Sequence, residues 1–305
     1  MGGASAPRQD PSRRERIAAH RAAAQRAQVR NRLLIAGGAI VVVLAVVLGF
    51  VLTGGKSSSG GGGTGGTVPT GSALDAVVAT TTSVPAATLD TVAAGTVASR
   101  PTSISGAPLT SGGKPEMLYM GAEYCPYCAA ERWAMVVALS RFGTFSGLAA
   151  THSAAHDGAG NAEPYPNTAT FTFANATFTS TYLTFTPVEL YTNTPDPSTG
   201  GYTTLQTPTA QQQALISKYD AAYGGAIPFI DFGNKYLIVG ASYDPGVLQG
   251  LTWSQIAGNL HNPDSPVAKG VLGTANYITA AICGLTGNQP AAACTPTVTA
   301  LQGQL

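Results

Sequence analysis

The stretch KPEMLYMGAEYCPYCAAERWAMVVALSRF, residues 114–142, decides the fold. Met117-Leu118-Tyr119-Met120 is a short apolar run of the buried-strand type. Gly121-Ala122-Glu123-Tyr124 follows, and then Cys125-Pro126-Tyr127-Cys128. Ala129 to Phe142 contains good helix formers and no Gly or Pro, and Gly143 ends it. Trp133, Val136, Val137 and Ser140 share one stripe of that helix, with Leu139 beside them. The order is therefore strand, loop, paired cysteines, helix.

Two cysteines spaced C-x-x-C at a helix start carry a particular chemistry. The unpaired N–H groups and the positive end of the helix favour a thiolate on the first cysteine. The thiolate is the attacking species in disulfide exchange, and a second thiol one turn deeper resolves the mixed disulfide. Cys125 is the expected nucleophile and Cys128 the resolver. Pro126 fixes φ at the turn, and Tyr127 offers a ring and hydroxyl to the substrate face. Glu123 either relays the proton that Cys128 must lose or is a loop carboxylate near the helix's positive end. Exchange runs on the sulfurs alone, so no cofactor or metal is called for.

Further along, Ala226 to Phe232 and Lys235 to Val239 read as two strands joined by the hairpin turn Gly233-Asn234. Ile227-Pro228 opens the first of them. It is either a cis-proline loop that lets backbone pair with an incoming peptide, or a trans proline at a strand's first residue. The cysteine pair has two other readings. One is a structural disulfide in a binding or scaffold protein, though short C-x-x-C loops are easily reduced. The other is a zinc-stabilised module formed by Cys125, Cys128, His152 and His156. Against zinc, Thr151 to Gly160 reads as a loop and exported thiols tend to oxidise.

Outside this region the chain is asymmetric. Before Leu33 eight arginines face Asp10 and Glu15, a net +6; after Leu52 eight Lys/Arg face thirteen Asp/Glu, a net −5. Between them Leu33 to Leu52 carries no charged or strongly polar side chain. As a helix those residues would span about 30 Å, the hydrocarbon thickness of a bilayer. An uncleaved signal anchor fits better than a cleaved signal peptide, whose apolar run is shorter. The positive-inside rule keeps the N-terminus cytoplasmic and exports the rest, giving a single-pass cell-membrane protein. The arginines hold the topology and touch anionic lipid headgroups; nucleic acid is not the expected partner. All four cysteines lie on the exported side. Cys283 and Cys294 would close a small loop, a staple of about 3 kcal/mol, or act as an electron relay.

The organisation that follows is a basic tail (1–32), a transmembrane anchor (33–52), a Gly/Ser-rich linker (53–72), a lead-in that packs on the main domain (73–113) and the main domain (114–305). In the lead-in, Leu74 to Val78 reads as a short helix. In the main domain, Thr151 to Pro166 reads as a loop. Thr168 to Tyr191 alternates Thr with Phe, Tyr and Leu, which predicts two or three half-buried strands. Thr207-Pro208 predicts a helix to about Tyr223, capped by Thr207. Two more helices are expected over Thr252 to Leu260 and from Ser265-Pro266 to Cys283.

Residues 113–148, then Phe185-Thr186-Pro187-Val188-Glu189, then IPFIDFGNKYLIVGASY at 227–243, resemble an uncharacterised family of membrane-anchored thioredoxin-like proteins of actinobacteria and archaea, labelled a domain of unknown function. The resemblance covers roughly Leu74 to Cys294. More distantly the arrangement is similar to DsbA-like thiol oxidoreductases, whose nucleophile, resolver and cis-proline map onto Cys125, Cys128 and Pro228. The Pro-Tyr dipeptide is that of glutaredoxins and does not set the direction of transfer. About 100 residues separate Cys128 from Pro228, more than in thioredoxin, and they hold the Thr/Phe strands.

The expected fold is thus α/β: a thioredoxin-like domain with an inserted β-rich segment and a helical C-terminal part, preceded by a single transmembrane helix. The expected function is thiol–disulfide exchange on exported protein thiols or disulfides, with Pro228, Ile227 and Tyr127 touching substrate. A quinone-linked membrane partner would supply or remove electrons.

Overall fold

The computed structural model describes residues 66–220 and 223–305. The basic tail, the expected membrane span at Leu33 to Leu52 and most of the linker lie outside the described residues. Among the described residues no helix is long and apolar enough to cross a membrane.

The chain is a mixed α/β fold built around strand β3 (Lys114–Gly121). Further strands are β1 (Thr102–Ser103), β2 (Thr110–Ser111), β8 (Thr184–Glu189), β11 (Phe229–Phe232) and β12 (Tyr236–Val239). On one side of β3 lies antiparallel β11, with Phe229 opposite Met120 and Phe232 opposite Met117. On the other lies parallel β8, with Glu116 opposite Thr184 and Gly121 opposite Glu189. The five-stranded order is β1-β12-β11-β3-β8, and β2 forms a hairpin onto the first residues of β3. Gly233 and Asn234 both adopt positive φ in the β11–β12 turn, the conformation a tight hairpin demands.

The apolar run in β3 is continuous because both sheet faces are covered. Met117 and Tyr119 point into the main core with Ile230 and Phe232. Leu118 and Met120 point the other way, into a smaller cluster with Phe229 and Leu237. Helix α4 (Ala210–Tyr219) covers that second cluster through Leu215, Ile216 and Tyr219. The main core is closed by α3 (Pro126–Leu139), α5 (Trp253–Asn259) and the long α6 (Pro266–Thr286). Helices α1 (Gly71–Thr82) and α2 (Ala86–Val92) place Val77, Leu89 and Val92 in the same core. Helix α7 (Pro296–Gln302) ends the chain, tied to the end of α6 by the Cys283–Cys294 disulfide.

Several sequence expectations need correction. Helix α3 starts at Pro126, not Ala129, and it is buried on every side rather than along one stripe. Trp133 donates to the Ala169 carbonyl at 2.8 Å, so an added layer covers the face that would otherwise meet water. That layer is β6 (Ala169–Thr172), which pairs with β5 (Ala149–His152). The Thr-rich stretch gives three strands: β6, β7 (Thr177–Ser180) and β8. Of these β6 is fully buried, because its Thr170 hydroxyl bonds the Ala129 carbonyl and its Thr170 carbonyl accepts from Trp253. Residues 151–166 are not wholly loop, since β5 runs to His152 and His156 bridges Ala162. Helix α4 is capped by Thr209, not Thr207, because Thr209 and Gln212 close a reciprocal capping box. Helix α6 extends to Thr286, past Cys283.

Candidate active site

Cys125 is the N-cap of α3, and its Sγ accepts from the Cys128 N–H at 3.4 Å. Pro126 occupies the first helical turn, where a missing N–H costs nothing. Both cysteines are free thiols; Cys125 is 4% exposed and Cys128 fully buried. The Cys125 thiol faces the Ile227 carbonyl at 3.8 Å, and the Ile227–Pro228 bond is cis. Pro228 itself is buried, and its carbonyl accepts from Gly240 at 2.8 Å.

The two thiols differ electrostatically. Hydrogen bonding from the Cys128 thiol, then from the Cys128 N–H, and the charge of Arg132 draw the Cys125 thiol below its ordinary value, against the opposing effect of burial. Burial pushes Cys128 well up, and the neighbouring Cys125 adds to it. One thiol is thereby disposed to ionise and the other to hold its proton.

Beneath the thiols lies a buried ionic group that sequence reading missed. Arg132 binds Glu189 bidentately, Nε to Oε1 at 2.9 Å and Nη2 to Oε2 at 2.6 Å, and both side chains are fully buried. Glu189 Oε1 also accepts the Phe173 N–H at 3.2 Å. The guanidinium lies 5.9 Å over the Tyr119 ring. Gly121 is needed here: a Cβ would stand 2.1 Å from the Tyr119 hydroxyl and 3.1 Å from Cys128 Sγ. One residue before Arg132, buried Glu131 accepts from the Ser242 hydroxyl at 2.9 Å and the Ser242 N–H at 3.0 Å. Burial pushes its carboxyl up to about 7. This bond anchors the chain after β12 against α3. A pair of charges within AAERWAMVVAL was the available signal, since no polar stripe accompanies them.

A groove of about 540 Å³ opens at Cys125, walled by Tyr124, Tyr127, Ile227, Gly240, Tyr243 and Glu163 among others. Tyr127 is 39% exposed and meets Tyr165 edge-on. Tyr124 also walls a second cavity of about 430 Å³ beside strands β9 (Tyr191–Asp196) and β10 (Gly201–Thr204). Glu123 does not line the groove; it is half-buried and its N–H bonds the Tyr191 carbonyl. His152 lies 2.9 Å from the Ser153 carbonyl through Nδ1. Among the described residues no three His, Cys, Asp or Glu side chains gather as a metal site, so Cys125, Cys128, His152 and His156 do not form the zinc set.

No curated protein and no solved structure matches the chain. The family described as a domain of unknown function (DUF929) matches residues 100–284, which takes in the strand–dithiol–helix unit, the Glu189 strand and the cis-proline hairpin. Over this match, which covers more than half of its length, the chain belongs to the DUF929 family.

Proposed function

We propose that the protein is a membrane-anchored, extracytoplasmic thiol–disulfide oxidoreductase with a thioredoxin-like core, acting on exported polypeptides. One observation carries the reading. The Cys125 thiol at a helix N-cap, drawn below its ordinary value by hydrogen bonds from Cys128, stands 3.8 Å from the carbonyl of Ile227, the residue before a cis-proline, in the wall of a groove. The order of the central strands and the helix after Cys125 support the thioredoxin-like assignment, as does the family resemblance.

In reduction, the Cys125 thiolate attacks one sulfur of a substrate disulfide. The S–S bond breaks, a mixed disulfide forms, and the departing thiolate takes a proton. Cys128 then loses its proton and attacks the Cys125 sulfur. This yields the Cys125–Cys128 disulfide and the second substrate thiol, with two electrons and two protons passed to substrate. Oxidation is the reverse. Net oxidation or reduction over many turnovers requires a redox partner, and the expected membrane anchor suggests a membrane protein of the quinone-linked class.

The test is the reduction potential of the Cys125–Cys128 pair and the Cys125 pKa in the full chain purified in detergent. A potential well above about −300 mV with a depressed pKa is expected. An inert bridge below that potential, or a thiol-bound metal, sinks the reading in favour of a structural role.

A further inference from the structure

We propose that the cavity beside the β9–β10 hairpin is a subsite for a basic side chain of the polypeptide substrate, a Lys or Arg near the reacting cysteine. The proposal rests on the redox reading above and names the substrate class that site selects.

Three rings wall or border this cavity. Tyr124 and Tyr202 stack at 4.0 Å with planes 7° apart, and Tyr191 tilts against Tyr124 at 6.2 Å. Tyr191 is 39% exposed and lines the cavity. Asp196 lines the same cavity. Hydrogen bonds from the Ser198 hydroxyl and N–H hold its carboxyl below the ordinary value, so it is a carboxylate at neutral pH. Aromatic faces with a nearby carboxylate form the recognition set for a cation.

Charge around both spaces agrees. Neither the cavity nor the groove at Cys125 is lined by a Lys, Arg or His. Their charged side chains are carboxylates, Asp196 in one and Glu163 in the other. Arg132, whose charge acts on Cys125, is fully buried and committed to Glu189. A ligand that brings its own carboxylates, such as glutathione, meets no counter-charge here.

The two spaces are coupled. Tyr124 walls both, and Glu163 of the groove accepts the Tyr202 hydroxyl at 2.5 Å. Gly225 and Gly240 of the groove wall have open space where a Cβ would be. An extended backbone can lie there with its cysteine at Cys125 and a neighbouring side chain reaching past Tyr124.

The experiment uses the reduced full chain in detergent. Three uncharged-backbone peptide disulfides differ in one residue beside cysteine: Lys, norleucine or Glu. Oxidised glutathione and hydroxyethyl disulfide, a small uncharged reagent, complete the set. Each rate is divided by the hydroxyethyl disulfide rate. The Lys peptide is expected to lead norleucine by roughly three- to tenfold, with Glu and oxidised glutathione slowest, and added salt should narrow the spread. Asp196→Asn and Tyr191→Ala should each shrink the Lys-over-norleucine ratio towards one. Equal Lys and norleucine rates in the parent chain, or a preference that survives both substitutions, overturns the subsite while leaving the redox reading intact. No reaction with hydroxyethyl disulfide overturns both.

Discussion

Replacing Glu131 by Gln should change how stability depends on pH. Glu131 is fully buried in α3, and its two oxygens each take one bond from Ser242. Gln preserves the shape, accepts the Ser242 N–H through its amide oxygen and can donate its NH2 to the Ser242 hydroxyl oxygen, but never ionises. In the native chain the carboxyl is raised from 4.5 to about 7, with burial as the main cause. The unfolded chain therefore releases its proton first as pH rises. Stability is fully present below pH 4.5 and is lost on the way through pH 7. At about 1.4 kcal/mol per pH unit, that gap amounts to about 3 kcal/mol. Asp231, pushed up to about 6 by burial, adds a slope of the same sign. It is present in both proteins and cancels in their difference. The assay is urea unfolding at several pH values from 4.5 to 8.5, followed by tryptophan fluorescence. Trp133 and Trp253 are the chain's two tryptophans, and both are buried in the main core. The Gln variant should match the parent near pH 4.5 and exceed it by about 3 kcal/mol above pH 8. A difference that stays flat across that range refutes the reasoning.

Arg132→Met leaves Glu189 buried without its partner and should cost about 3–5 kcal/mol, whereas pairing it with Glu189→Leu should recover much of the loss in the same unfolding assay. Thiolate absorbance should also show the Cys125 pKa rising in Arg132→Met, because the guanidinium charge helps hold it down. Removing the Cys283–Cys294 bridge, which spans 11 positions, should lower stability by about 3 kcal/mol. Gly121→Ala should destabilise by about 2 kcal/mol or more, read as a shift of the urea midpoint, since its Cβ meets the Tyr119 hydroxyl. Cys128→Ser should accumulate a mixed disulfide at Cys125, visible by mass on intact protein, because the resolving thiol is gone.

Local pattern revealed much of the scaffold. The strand before Cys125, the helix after it, the Gly233-Asn234 hairpin and the Ser265-Pro266 helix start all follow from periodicity and turn chemistry. The approach of Ile227 to Cys125 was implied by the resemblance to thioredoxin-like folds, which place a cis-proline loop against the dithiol, and the local pattern left Pro228 open between cis and trans. What escaped depends on long-range packing. Glu131 and Arg132 are two charges on an otherwise apolar helix, and the groups that hold them buried, Ser242 after β12 and Glu189 of β8, lie far along the chain. The Tyr124 cavity arises because Leu190 bonds Gly121 across the sheet end and Glu123 bonds Tyr191, bringing β9 beside the dithiol. Nothing within residues 191–204 alone announces that neighbour. The Thr207 cap failed for a simpler reason: Thr209 has a Gln three residues on, and Thr207 does not.

The buried pair of Arg132 and Glu189 also constrains how this chain can diverge. Its members lie 57 positions apart, on the helix that carries Cys128 and on the parallel strand. Losing either one alone strands a charge in the core, so single-step replacement passes through a poorly folded intermediate. The two positions should therefore be inherited as a unit. Sequences of the family should show either both charges or neither, and an Arg132 counterpart facing a neutral residue should be rare. The helix carrying the dithiol and the strand beside it are in this sense a single heritable element.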